Sequence, residues 1–505
     1  MEETIHLSTA VLILILIYMA VILFFVFRGA KNTKTINDYA LGNLMFSPAA
    51  VGLSLAASMT SAATFIINPG FVAYYGISGV LSMAIFLPLG ALLSLIFLTK
   101  GFRKAGAAVK AQTMAQWIGS MYKSKYYALF FAFLTLLLLT FIVLICVGLT
   151  KVLAGALGAN EILVSTLIIC FIFGYMMFGG ANSMVYTNMV QAILMIIVAT
   201  ILLGSGYEHF REGIFGFIGK LKSIDQNLGS LTNIQSPLFR DYFEIIFCQL
   251  IVGIAIVCQP HIITKSLLLK DESQVNRFLL VAVVTEVLFF SVVIVGLYAR
   301  LQFPDLMLNG QPLPLDNVVS AYVVHHFPVV VGLILIMGLI SAGLSTIEGL
   351  IQSMSITIST DIIKTLAGNR LNFDKYGIII NKGVIVLLAL VTIWLTHEQL
   401  VNPNLSVGIF AQNGVYAYFS AAFFPVLFGT FRRETTSFIA SFGASVTALV
   451  VYFVIYYGEF ISYMQADVKN PAIAATFAII ISFVVGSVLY HLTIKKVEEP
   501  KPVLR

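Results

Sequence analysis

Long apolar stretches alternate with short polar segments along nearly the whole chain. They cover residues 9–27, 48–75, 80–99, 128–157, 162–178, 184–206, 241–263, 274–300, 319–358, 376–396, 406–428, 435–457 and 472–492. A helix of about 20 apolar residues crosses a hydrocarbon core of about 30 Å. No segment between the stretches is long enough for a soluble domain. The pattern therefore predicts an all-α polytopic membrane protein with about 13 transmembrane helices.

Composition and charge support this class and exclude others. Hydrophobic residues make up 59% of the chain and charged residues 10%, whereas soluble domains carry about 25% charged residues. The net charge of +6 is spread over separate loops, so no nucleic-acid partner is expected. No nucleophile–base pair is visible in the sequence, and we expect no enzyme. The expected location is the plasma (inner) membrane.

The positions of the basic residues predict the orientation. Arg28, Lys31 and Lys34 follow the first apolar stretch, so the positive-inside rule places the N-terminus outside. Thirteen crossings then place the C-terminus inside. This assignment puts 21 of the 29 Lys and Arg residues, Lys265 among them, in cytoplasmic segments.

Two apolar stretches contain residues that interrupt helices. The stretch 48–75 contains Asn68-Pro69-Gly70, and the stretch 241–263 contains Gly253 and Gln259-Pro260. Interrupted helices in corresponding places of two halves mark the binding site of inverted-repeat transporters. These stretches are the second and the seventh, so we expect a core of two inverted five-helix repeats.

This arrangement predicts the domain organisation. Residues 1–47 form an additional N-terminal helix and a cytoplasmic linker, and residues 48–430 form the transporter core. The two repeats cover about 48–206 and 241–430. Residues 431–492 add two C-terminal helices, and residues 493–505 form a cytoplasmic tail.

Small and hydroxyl-bearing residues predict a cation site. Ala342, Ser345 and Thr346 share one helix face because they are spaced i, i+3 and i+4. A second segment of this kind, 54–61, lies in the interrupted second stretch. Two bland alternatives stay open, since such hydroxyls also bond to the i−4 carbonyl and small residues also serve helix packing.

Among the charged residues within predicted helices, three are considered for function. Intramembrane acids are costly and are candidates for function; Glu348 could tune the cation site, carry a proton or bond a neighbouring helix. For Glu286 we favour a structural hydrogen bond. Lys151 lies towards the outer end of its helix, where it could snorkel or attract anionic substrates.

The motifs of the chain resemble those of the sodium/solute symporter family. The matching segments are Ala57-Ser58-Met59-Thr60-Ser61 with Asn68-Pro69-Gly70, Phe178-Gly179-Gly180 with Thr187-Asn188 and Gln191, Gln259-Pro260-His261, and Leu344-Ser345-Thr346. The resemblance covers nearly the whole chain and implies the LeuT-like fold. It also implies Na+ as the coupling ion and no other cofactor.

The resemblance further implies particular site residues. The sodium ligands would be the carbonyl oxygens of Ala57, Thr60 and Ala342 and the hydroxyls of Ser345 and Thr346. The substrate would contact Ser61, Thr64 and Phe141. Asn188 stands where relatives commonly have an aspartate, which several members use for a second sodium or for sodium-dependent gating. The absence of this aspartate favours one sodium per cycle. Asn188 and Glu348 remain candidates for coupling or for a second site.

We therefore expect a secondary active transporter that takes up a small organic solute with sodium by alternating access. Similarity to the pantothenate and monocarboxylate branch favours a carboxylate. Met59 stands where the proline carriers have an acid, which weakens a proline assignment. An amino acid or sugar symporter, a proton-coupled carrier using Glu348, and a membrane solute sensor remain alternatives. The oligomeric state cannot be read from the sequence.

Overall fold

The computed structural model describes residues 2–43, 45–370, 372–402, 407–432 and 435–494. Within these residues, 11 helices are long and apolar enough to cross a membrane, and two bent helix pairs bring the candidate spans to 13. The prediction of a helical polytopic membrane protein is thus confirmed. Arg433 and residues 495–505, which include five of the 21 basic residues assigned to the cytoplasmic side and most of the predicted tail, lie outside the described residues.

We number the candidate spans 1 to 13 along the chain. They are Glu2–Ala30, the bent pair Pro48–Met59 and Ala63–Tyr75, Ile77–Val109, Lys125–Leu157, Glu161–Gly179, Ala181–Gly204, the bent pair Phe243–Ile256 and Pro260–Leu268, Glu272–Gln302, Val329–Ala367, Phe373–Val401, Val407–Phe431, Phe438–Gly458 and Pro471–Thr493. The shorter elements are the helices Ile36–Leu41, Met114–Met121, Gly213–Ile224 and Val318–His326 and the paired strands Met307–Leu308 and Gln311–Pro312.

Spans 9 and 11 lie at the centre of the molecule. Their most apolar windows are 78% and 83% buried, whereas those of spans 1 and 10 are only 22% and 28% buried. Lipid-facing helices keep apolar side chains on the outside because the surrounding solvent is itself apolar. The predicted cation-site residues of span 9 therefore lie deep inside the protein.

Spans 2 and 7 are each broken, with bends of 55° and 57° between their halves. In span 7 the second half begins at Pro260, a first-turn position that suits proline because its missing N–H is not needed there. In span 2 the break lies at Thr60 and Ser61, before the interruption that the sequence suggested. Pro69 is accommodated in the first turn of the helix Asn68–Tyr75, so it does not end the span.

The apolar stretch 319–358 also differs from its prediction. It contains two elements, the short helix Val318–His326 and the long span 9, which begins at Val329. Pro328 separates them, since a proline favours an extended conformation in the residue before it. Span 9 then continues as far as Ala367.

Spans 3 and 7 approach each other closely where both carry a glycine. A Cβ atom added at Gly253 would lie 2.3 Å from the carbonyl oxygen of Leu87, and one at Gly90 would lie 2.5 Å from that of Leu250. Both obstacles are backbone atoms, which cannot turn aside. The first half of span 7 is thus held against span 3 by two glycine contacts.

We expect Gly253→Ala to destabilise the protein by about 1–3 kcal/mol, because overpacking forces the two backbones apart. Thermal unfolding of the detergent-solubilised protein measures this loss. Gly174→Ala in span 5 is the matched control, since its added methyl meets no atom within 4 Å. Equal unfolding temperatures for the two variants would contradict the proposed contact.

Candidate cation and substrate sites

The break in span 2 frees backbone oxygens inside the protein. The N–H of Thr60 still donates to the carbonyl of Ala56 at 3.0 Å, as in a regular helix. Beyond the break, the N–H of Thr64 donates to the carbonyl of Ser61 at 3.0 Å rather than to that of Thr60. The carbonyl oxygens of Ala57 and Thr60 therefore lie outside the helical hydrogen-bond ladder.

Span 9 brings two hydroxyls to one of these carbonyls. Ser345 Oγ lies 2.6 Å from the Ala57 oxygen and 3.2 Å from the Ala342 oxygen. Thr346 Oγ1 lies 3.5 Å and 3.4 Å from the same two oxygens. All four residues are fully buried. The structure thus brings four of the five predicted sodium ligands together, and the fifth, Thr60, lies at the adjoining break. Hard cations prefer such oxygen ligands.

Glu286 of span 8 contacts the break directly. Thr60 Oγ1 donates a hydrogen bond to Glu286 Oε2, and the glutamate side chain is fully buried. Its Oε1 has no hydrogen-bond partner among the described residues. The hydrogen bond expected for Glu286 is present, and its partner is a residue of the candidate cation site.

Ser61, Thr64 and Phe141 line one cavity of about 100 Å³ between the broken spans. The amide side chains of Asn68, Gln259 and Gln412 and the phenol of Tyr416 also line it. None of its described lining residues is charged. The three predicted substrate residues are therefore brought together in a cavity that offers hydroxyls, amides and aromatic surface.

Two buried side chains near this cavity carry unpartnered polar atoms. Gln259 donates from Nε2 to the Ile256 carbonyl at 3.1 Å, but its Oε1 accepts no hydrogen bond from the described residues. Neither ring nitrogen of His261 has a partner there, and its ring lies 6.1 Å from that of Phe141. Sequence reasoning named both residues only as parts of a motif. Gln259 lines the candidate substrate cavity, whereas His261 lines a separate cavity together with Lys265.

Glu348 is held by three neutral donors behind the cation site. It accepts hydrogen bonds from Tyr175 at 2.6 Å, Thr187 at 2.6 Å and Gln191 at 3.1 Å. All of these side chains are buried. Glu348 thus belongs to a hydrogen-bond network between spans 5, 6 and 9, and it does not line the substrate cavity.

Asn188 of span 6 joins Glu348 to residues on the opposite side of this network. In one orientation of its side-chain amide, both the nitrogen and the oxygen have hydrogen-bond partners. The nitrogen then lies 3.0 Å from Glu348 Oε2, and the oxygen lies 2.9 Å from Lys265 Nζ and from Ser58 Oγ. Amide orientation is assigned from such networks. The two candidates for a second site, Asn188 and Glu348, are therefore in direct contact.

Lys265 is the main residue that sequence reasoning misplaced. It was assigned to a cytoplasmic segment because the apolar stretch ends at residue 263, but its side chain is only 3% exposed. Span 7 continues to Leu268, and Lys265 Nζ donates to the carbonyl and the hydroxyl of Ser54 at 2.9 and 2.7 Å. A lysine one turn after the helix start at Pro260 was the available signal.

Lys151 forms an ion pair, which neither of its two sequence interpretations included. Its ammonium forms a salt bridge with Glu161 at 2.7 Å, between side chains that are 24% and 39% exposed. Lys151 does not line the cavity that contains Ser61. The pair neutralises the charge that could otherwise attract anionic substrates.

Comparison with known proteins gives consistent relatives. The sodium/pantothenate symporter of Escherichia coli is 25% identical over 477 residues, which cover 90% of this chain and 91% of that protein. The one of Haemophilus influenzae is 27% identical over 346 residues, covering 66% and 68%. The high-affinity proline transporter of Bacillus subtilis is 23% identical over 436 residues, covering 83% and 87%.

A similar fold occurs in a solved Na+-coupled sialic acid symporter in its substrate-bound outward-open state. The TM-score is 0.75 at 16% identity, with 96% of this chain and 98% of the other covered. This likeness supports the predicted LeuT-like fold. The sequence model of the sodium:solute symporter family matches residues 39–445. Because that match covers most of the chain, the protein belongs to the sodium:solute symporter family and is a sodium-coupled membrane transporter.

Proposed function

We propose that this protein takes up a small carboxylate together with one sodium ion by alternating access. The observation that carries the proposal is the group of buried oxygens from Ala57, Ala342, Ser345 and Thr346 beside the break in span 2. Sodium is a transported substrate in this proposal. Its ligands would be these oxygens and the carbonyl of Thr60.

Sodium would couple to the solute through the first half of span 2. A cation bound to Ala57 and Ser345 joins span 2 to span 9, and the substrate residues Ser61 and Thr64 follow immediately beyond the break. A ligand shifts a conformational equilibrium by its differential affinity for the two states, typically 1–3 kcal/mol. Sodium binding thus favours the state that has a formed substrate site.

A carboxylate substrate is supported by the relatives and by the cavity. Two relatives are sodium/pantothenate symporters. The second half of span 2 begins at Ala63 and turns its N-terminus towards the cavity that Thr64 lines. The positive end of a helix dipole stabilises an anion, as half-helices do in other transporters. The hydroxyls of Ser61 and Thr64 would add hydrogen bonds.

The alternatives are weaker on particular observations. A proton carrier using Glu348 is disfavoured because this carboxylate accepts three hydrogen bonds and lies outside the cavity lining. Proline or a sugar would also suit an uncharged cavity, and one relative is a proline transporter. Met59 stands where the proline carriers have an acid, which weakens the proline assignment. Uptake assays distinguish among these solutes, and a sensor would show no uptake of any of them.

The orientation, domain division and location are part of the proposal. We infer 13 crossings, an N-terminus outside, a C-terminus inside, and inverted repeats at about 48–206 and 241–430. Removing the buried Lys265 from the charge count leaves 20 of 29 basic residues on the inner side. The bias that supports the orientation therefore persists. The plasma membrane is inferred from the bacterial relatives.

We expect Ser345→Ala and Thr346→Ala to raise the sodium concentration for half-maximal uptake by about tenfold, the effect of losing about 1.4 kcal/mol of ligand interaction. The abundance of each variant is measured as well, since the lost hydroxyl also removes a hydrogen bond to the Ala57 carbonyl. Ser355→Ala, another buried serine of span 9 with such a bond, is the control. Unchanged sodium dependence in both variants would contradict the site.

We expect Thr64→Val to raise the KM for the solute about tenfold, since one hydrogen bond to a charged group contributes about 1.5–3 kcal/mol. The sodium dependence at saturating solute should stay near that of the wild type. Thr150→Val is the matched control, because Thr150 is buried and bonds only to the Cys146 carbonyl of its own span. An equal KM for both variants would remove Thr64 from the solute site.

We expect sodium to drive uptake of an acid into proteoliposomes without any effect of membrane potential, because one sodium and one monoanion carry no net charge. Labelled pantothenate, pyruvate, acetate, proline and glucose are offered in parallel at clamped voltage. A charge crossing 100 mV contributes about 2.3 kcal/mol, so voltage-driven uptake would indicate a neutral solute or additional sodium. Uptake that persists when choline replaces sodium at fixed pH would contradict sodium coupling.

A further inference from the structure

The ammonium of Lys265 is surrounded by oxygen atoms deep inside the protein. It lies 2.9 Å from the Ser54 carbonyl, 2.7 Å from the Ser54 hydroxyl and 2.9 Å from the Asn188 amide oxygen. Ser54 and Asn188 are fully buried. A carbonyl, a hydroxyl and an amide oxygen are the kind of ligands that hold alkali cations elsewhere in proteins. The ammonium thus occupies a site with the chemistry of a cation site.

A buried acid of opposite charge lies one amide group away. The Asn188 nitrogen is 3.0 Å from Glu348 Oε2, so the side-chain amide separates Glu348 from Lys265. Its nitrogen donates to Glu348, and its oxygen accepts from Lys265. Removing one partner of a buried charge pair leaves an uncompensated charge, which is strongly destabilising. A charged Glu348 is therefore stabilised by a positive charge at this place.

The group formed by Ser54, Asn188, Lys265 and Glu348, which we name the ammonium site, adjoins the candidate sodium site. Ser58 Oγ lies 2.9 Å from the Asn188 oxygen and 3.1 Å from the Ser345 carbonyl. Ser345 supplies a hydroxyl to the sodium site, so one serine side chain connects the two groups. Both sites use the first half of span 2.

We propose that the Lys265 ammonium is a second, covalently held cation of the transport cycle. It occupies a site that would otherwise take a second sodium ion, so that one free sodium suffices for each monoanion. The inference rests on the proposed function and adds the residue that sets its stoichiometry. If Lys265 only held spans 2 and 7 together, its replacement would leave the number of transported ions unchanged.

The test replaces Lys265 with an apolar side chain of similar length. Lys265→Met vacates the ammonium site but leaves the Glu348 charge, so a second sodium ion should enter. The Hill coefficient for sodium should rise from about 1 to about 2, its upper limit being the number of coupled sites. Inside-negative voltage, without effect on the wild type, should now stimulate uptake of the same monoanion.

Two further variants make the result specific. The double variant Lys265→Met with Glu348→Gln removes both charges, so sodium dependence should return to a Hill coefficient of about 1 and lose its voltage sensitivity. Lys382→Met is the matched control. It removes an ammonium from span 10, where the side chain lies over the Phe178 ring and outside the ammonium site. Its Hill coefficient and voltage response should match the wild type.

A Lys265→Met protein that keeps a Hill coefficient of about 1 and no voltage response would overturn the inference. So would its failure to reach the membrane, because sodium from the medium would then have failed to replace the ammonium. Loss of the proposed function is a separate result. It appears as sodium-independent uptake by the wild-type protein, before any substitution at Lys265 is made.

Discussion

The architecture depends on satisfying the backbone of span 2 where its helix is interrupted. Within a membrane, a free carbonyl is tolerated only where protein or a bound ligand meets it. Span 9 meets that requirement through Ser345, whose hydroxyl lies 2.6 Å from the Ala57 oxygen. The same oxygens that close the break can bind a cation. The interruption, the burial of span 9 and the candidate sodium site therefore have one physical origin.

Much of this arrangement could be predicted because it depends on local sequence patterns. Helical spacing alone places Ala342, Ser345 and Thr346 on one face, and apolar stretch lengths locate the spans. The position of the break could not be predicted, since a proline such as Pro69 suits the first turn of a helix as well as an interruption. The break instead follows from Ser61, whose hydroxyl accepts the Ala63 N–H at 3.1 Å and so competes with the helix.

Lys265 shows the limit of hydropathy. A charge just beyond an apolar stretch is normally assigned to water, because burying it alone is costly. Only the folded chain shows that Ser54, Asn188 and Glu348 converge there from spans 2, 6 and 9. Ser54 and Glu348 are 294 positions apart in the sequence, so no local pattern predicts that they lie close together. For the same reason the sequence predicted a hydrogen bond of Glu286 but not its partner, Thr60.

The ammonium of Lys265 also constrains how the protein can move. It attaches the second half of span 7 to Ser54 in the first half of span 2. Separating them within the membrane would leave a buried ammonium without acceptors, a large cost that no new contact offsets. The first half of span 2 and the second half of span 7 should therefore move together. Since the sodium ligand Ala57 lies one turn from Ser54, release of sodium requires span 9 to part from this joined pair.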